Sequence, residues 1–81
     1  DPIYPKQALN NEWEGTVIVE VLVSKFGKPL RIKITQSSGY VSLDQSFVRT
    51  IKEYYTFEPK RVGGIDQRGL VQLSYSFNLE V

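Results

Sequence analysis

The 81-residue sequence has no cysteine, no histidine and no methionine. Without cysteine there is no disulfide framework and no thiolate metal site, and the chain suits a cytoplasmic or a periplasmic setting equally. The lack of histidine removes the commonest general base and the commonest metal ligand together. Long apolar runs are also missing: the longest is three residues, Val17–Val19 and again Val21–Val23. No segment is therefore fit to cross a bilayer as a helix, and no signal-peptide pattern is visible. Charge is nearly balanced, with 10 Lys and Arg against 9 Asp and Glu. A net charge of +1 is too weak to argue for nucleic acid or for an anionic membrane. What remains, 41% hydrophobic and 23% charged, fits one small folded domain with a modest core. Opening at Asp1 without methionine, the chain reads as a single domain, residues 1–81, excised from a longer membrane-anchored protein.

Periodicity supplies the elements. Pro5 suits a first helical position, so a short helix is expected from Pro5 to about Asn11, setting Ala8, Leu9 and Trp13 against the core. In GTVIVEVLV the residues Val17, Val19, Val21 and Val23 share one face of a strand, and Thr16, Ile18, Glu20 and Leu22 the other. Gly27 gives the freedom for a turn. On the return, Leu30, Ile32 and Ile34 alternate with Arg31, Lys33 and Thr35, and Pro29 favours an edge position. SLDQSFVRTIKEYYTFEP reads as the main helix, with Pro59 ending any helical continuation. Ser42 and Gln45 have capping-box spacing, and Leu43, Phe47, Val48, Ile51 and Tyr54 or Tyr55 form its apolar stripe. KRVGGIDQRG reads as a loop leading to LVQLSYSFNLEV, a strand alternating from Leu70 to Val81 with Glu80 its only charge.

The order α-β-β-α-β gives an α+β, two-layer domain: a three-stranded antiparallel sheet in the order 2-1-3 with two helices on the valine-lined face. The last strand is then an edge. Edges recruit foreign strands unless charge, proline or bulges protect them. Lys25, Lys28, Arg31 and Lys33 rim the opposite edge; nothing guards the last strand.

Catalytic chemistry has little to work with. Ser37-Ser38-Gly39 has hydroxyls but no histidine to activate them. The carboxylates are scattered, so neither a hydrolytic pair nor a metal cluster is expected. No cofactor and no enzyme activity follow. Tyr75 and Phe77 share the parity of Val71 and Leu73, which assigns them to the core and not to a base-stacking platform.

Several phrases in their order are similar to the TonB family C-terminal domain, part of the periplasmic energy transducers of Gram-negative bacteria. Tyr4, Pro5 and Ala8 resemble its Y-P-x-x-A opening, and Gly15, Val17, Val19, Val21, Val23 and Gly27 its first hairpin. Ser37-Ser38-Gly39 with Leu43-Asp44 resembles the entry to its second helix, and Tyr55, Phe57 and Pro59 the W-x-(F/Y)-x-P closure. Tyr55 departs from the preferred tryptophan, Phe26 from the preferred Asp or Asn, and Trp13 has no counterpart in the pattern.

This resemblance implies a domain that grips the TonB box of outer-membrane transporters by β-strand addition, coupling proton motive force to siderophore or vitamin B12 uptake. Gln72, Leu73, Ser74, Tyr75, Ser76, Phe77 and Asn78 would carry the pairing backbone, with flanking contacts from Ile3, Tyr4, Arg61 and Arg68. It further implies a periplasmic location, an inner-membrane anchor outside this sequence, and ExbB–ExbD as partners of that outer region. The same strand offers a pairing surface to a second copy. The alternative is a TonB/TolA-like envelope domain serving a different periplasmic partner.

Overall fold

Residues 15–23 alternate valine with mixed residues, and in the computed structural model, which describes residues 1–79, they form the central strand. This strand, β1 (Gly15–Val23), follows a short helix α1 (Lys6–Asn10) and precedes β2 (Pro29–Gln36), α2 (Val41–Tyr54), β3 (Lys60–Val62), β4 (Ile65–Gln67) and β5 (Gly69–Phe77). The main sheet is antiparallel with the order β2-β1-β5, as the alternation and the crossover require. Val17, Val19, Val21 and Val23 are buried beneath Leu43, Phe47 and Ile51 of α2, with Ala8 and Phe77 closing the core. Burying each such side chain contributes about 1.5–3 kcal/mol, which makes the valine face the main source of stability.

Local chemistry fixes the joints. Helix α1 ends in a Schellman arrangement: Trp13 N–H donates to Ala8 O (2.9 Å) and Glu12 N–H to Leu9 O (3.2 Å). Glu12 holds the left-handed conformation there (φ 56°). Trp13 then stacks on Tyr40, with centroids 4.5 Å apart. At the β1–β2 turn Gly27 has φ 84°, and a Cβ on it would meet Phe57 O at 2.2 Å. Phe57 N–H also donates to Gly27 O (2.9 Å), tying the turn to the segment after α2.

Five expectations are corrected. Helix α1 begins at Lys6, with Pro5 as its N-cap, and Leu9 is exposed; only Ala8 and Trp13 face the core. Helix α2 begins at Val41, so Ser42 lies inside the first turn, where its Oγ is buried without a partner and forms no capping box. Helix α2 ends at Tyr54 with Tyr55 as its C-cap, short of the TFEP stretch; of the two tyrosines offered for the stripe, Tyr55 packs on the core. In β2 only Ile32 packs on the core. Register shifts leave Leu30 and Thr35 without partners in β1; Leu30 is exposed, and Ile34, though opposite Val19, is 42% exposed at the sheet edge. Finally, KRVGGIDQRG is no plain loop: β3 and β4 form a separate hairpin closed by Gly63 and Gly64, both with positive φ. That is the backbone a two-residue type I′ turn demands.

Candidate functional site

The two edges of the sheet differ in kind. On β2, two bulges, Pro29 and the charged Arg31 and Lys33 break the regularity that a foreign strand would need. On β5, nine consecutive pairs from Gly69↔Val23 to Phe77↔Gly15 run without a shift, and no described strand lies on its other side. The open edge is long, regular and uncharged.

Which backbone groups point outward follows from the hairpin. Ser24 N–H donates to Lys28 O (2.8 Å), so Ser24 belongs to a hydrogen-bonded pair across the turn. Bonded and non-bonded pairs alternate along an antiparallel ladder. Even-numbered residues of β1 therefore bond to β2, and the hydroxyl of Thr35 donating to Ile18 O (3.2 Å) agrees. Odd-numbered residues of β1 bond to β5, through their partners Val71, Leu73 and Tyr75. The remaining backbone groups of β5, on Leu70, Gln72, Ser74 and Ser76, face the open side.

Side chains sort by the same parity. Leu73, Tyr75 and Phe77 turn inward, where Tyr75 stacks on Phe47 (5.7 Å) and meets Phe77 edge-on (4.8 Å). Gln72, Ser74 and Ser76 are exposed, and Ser76 shares a 2.8 Å hydrogen bond with Thr16. Asn78 is exposed but follows the strand, which ends at Phe77; Glu80 and Val81 lie outside the described residues. Leu70, 65% exposed, belongs to the outward set and was missed by the sequence reading. Its parity with Gln72 was the available signal.

The flanking residues divide. Tyr4 is built into the fold: its ring meets Phe77 edge-on at 5.3 Å and its hydroxyl donates to Trp13 O. Burial first, and the Glu14 carboxylate second, push this phenol above its ordinary value of 10.0. Ile3 is 80% exposed beside α2, its carbonyl accepting a hydrogen bond from the Ser46 hydroxyl. Arg61 pairs with Asp66 at 3.0 Å on the second hairpin. Arg68 lines an open groove with Leu22, Phe57, Glu58 and Leu70 at the start of β5. Ile3 and Tyr4 are thus separate in role from Arg61 and Arg68, and only Arg68 reaches the start of the strand. No group of three or more metal-binding side chains occurs among the described residues.

Fold and edge together define a small α+β domain that presents one complete, unprotected strand. The sequence matches the family described as Gram-negative bacterial TonB protein C-terminal over residues 1–79, and the chain belongs to that family. It is 37% identical over 78 residues to protein tonB2 of Pseudomonas aeruginosa, covering 96% of this chain and 28% of that protein. To protein TonB of Vibrio cholerae it is 32% identical over 79 residues, 98% of this chain and 32% of that protein. Protein TonB of Neisseria meningitidis serogroup C is 42% identical over 45 residues, 56% of this chain and 16% of that protein. The chain thus spans about a third or less of the length of these relatives.

Proposed function

We propose that this domain is the periplasmic, partner-binding end of a TonB-like energy transducer, and that it has no catalytic role. It takes an extended segment of an outer-membrane transporter, the TonB box, as a fourth strand on β5. The observation that carries this reading is the contrast between edges: β2 is bulged and charged, while β5 keeps nine regular pairs and a neutral outer face. Strand addition draws affinity from backbone hydrogen bonds and selectivity from alternate side chains. Leu70, Gln72, Ser74 and Ser76 supply the backbone groups, and Leu73, Tyr75 and Phe77 hold the strand to the core. Asn78 lies where the guest leaves the strand, and Arg68 flanks its other end.

Family membership supports the wider assignment: an inner-membrane anchor and ExbB–ExbD contacts in a region outside this sequence, driving import of siderophore or vitamin B12 cargo. A second copy pairing through β5 would compete with the transporter for the same backbone groups.

The test is an NMR titration of the labelled domain with a peptide carrying a TonB box. The amides of Leu70, Gln72, Ser74 and Ser76 should gain exchange protection, while those of Val71, Leu73 and Tyr75, already bonded to β1, change little. Ser74→Pro should abolish the response, and Ser74→Ala should leave it intact. Protection confined to β2 or to the β3–β4 hairpin would overturn the proposal.

A further inference from the structure

The near-neutral composition conceals a polar molecule. Its extents are 49 × 20 × 20 Å, and the β1–β2 turn, the base of the β3–β4 hairpin and the start of β5 gather at one end. Gly69 pairs with Val23 beside the turn, Lys60 packs its side-chain carbons about 3.1 Å from the Cβ position of Gly69, and Phe57 is bonded to Gly27. A nine-residue strand is only about 30 Å long, so the turns and the second hairpin extend the long axis beyond the sheet. This end holds Lys25, Lys28, Arg31, Lys60 and Arg68, all exposed, against the acid Glu58; Arg61 and Asp66 neutralise each other, and Lys52 offsets Glu53 in the last turn of α2. Around Gly15, at the opposite end, lie Glu12, Glu14 and Asp44.

Apolar side chains are exposed at the same cationic end. Phe26, at the tip of the β1–β2 turn, is 78% exposed with Lys25 Nζ 5.3 Å from its ring centroid. Val62 and Ile65 stand on either side of the Gly63–Gly64 turn, Ile65 at 66% exposed. Phe26 stands on one turn and the Val62–Ile65 pair on another, each turn flanked by long cationic side chains, and Leu30 and Leu70 are exposed nearby.

We infer that this end docks on an anionic lipid surface, with Phe26 and the Val62/Ile65 tip entering the headgroup boundary and Lys25, Lys28, Lys60 and Arg68 meeting phosphates. Apolar tips with cationic collars match both layers of such a surface. The aromatic and aliphatic tips gain by leaving water, and lysine stems let the charged heads remain at phosphate level. The pairing backbone of β5 is not needed for this contact, and changing Lys25, Lys28 or Phe26 leaves Arg68, the residue shared with the peptide site, unchanged.

The experiment is co-sedimentation of the 81-residue domain with vesicles of phosphatidylglycerol and phosphatidylethanolamine, compared with phosphatidylcholine alone. Binding to the anionic vesicles should be about tenfold or more tighter and should fall in about 0.5 M salt. Lys25→Glu with Lys28→Glu should lower it about tenfold, while Lys6→Glu, remote from this end, should not. Phe26→Ser should weaken binding about fivefold, and Phe26→Trp should strengthen it. Trp13 fluorescence, which reports on the far end, verifies that the lysine and Phe26→Ser variants are folded, and far-UV circular dichroism does so for Phe26→Trp. Equal binding to neutral vesicles, indifference to Phe26, or full displacement by soluble anionic glycan fragments would each overturn the inference; the last would make the ligand a polyanion and not a bilayer.

Discussion

Asp44 is only 5% exposed in the first turn of α2. It accepts hydrogen bonds from Ser38 N–H (2.8 Å) and from the Ser37 hydroxyl. It therefore serves the positive helix end and the loop before it at once. Asp44→Ala should cost about 2–3 kcal/mol, because a part-buried backbone N–H and a hydroxyl lose a charged acceptor. Chemical denaturation would measure this, and a loss below about 0.5 kcal/mol would refute it. The sequence revealed the carboxylate's place at the helix start but not its partners, since those depend on the path of residues 37–40. The same gap explains Ser42. Spacing alone made it a cap, whereas Ser38, whose hydroxyl accepts from Tyr40 N–H (3.2 Å), occupies the approach to the helix.

Strands β2 and β5 both flank β1, and only β5 had both faces legible, although it ends at Phe77 with Asn78 past it. The period-two pattern of residues 70–77 placed every β5 side chain on its observed face, because an unbroken ladder preserves parity. The pattern of β2 failed at Leu30, because a bulge inserts a residue that alternation cannot anticipate; Ile34 keeps its parity opposite Val19 and is exposed because it lies on an edge strand. Gly63-Gly64 between Val62 and Ile65 carried a hairpin signal that the surrounding charges obscured. Parity also makes adjacent proline substitutions unequal. Tyr75→Pro removes a bond to β1 and a core ring, and should cost about 3 kcal/mol or more. Ser74→Pro removes only an outward N–H and should leave the domain folded with a much smaller loss in thermal midpoint. Similar losses for the two variants would contradict the assignment of outward backbone groups.

At the scale of the molecule, composition averages out what folding separates. A net charge of +1 gives no argument for an anionic surface, yet folding gathers Lys25, Lys28, Arg31, Lys60 and Arg68 at one end and Glu12, Glu14 and Asp44 at the other. An average cannot report this, because it depends on which turns meet in space. The β2-β1-β5 order was legible from the hairpin and the crossover; the elongation was not, since it owes much to the β3–β4 hairpin that sequence alone left as a loop.

The long β5 edge has a mechanical consequence. In a molecule only 20 Å across, a strand about 30 Å long must lie close to the 49 Å axis. Bonds to a guest strand would then stand perpendicular to that axis. Tension along the axis loads them together in shear, whereas tension across it opens them one after another like a zip. Because the chain has no native cysteine, Glu14→Cys gives a unique tether beside Gly15. A bound peptide pulled from its Leu70 end, away from that tether, should resist a higher rupture force than one pulled from its Phe77 end. Equal forces in single-molecule pulling would argue against a lengthwise guest. A lengthwise guest makes the domain a grip whose strength depends on the direction of the load, holding under an axial pull and releasing under a sideways one.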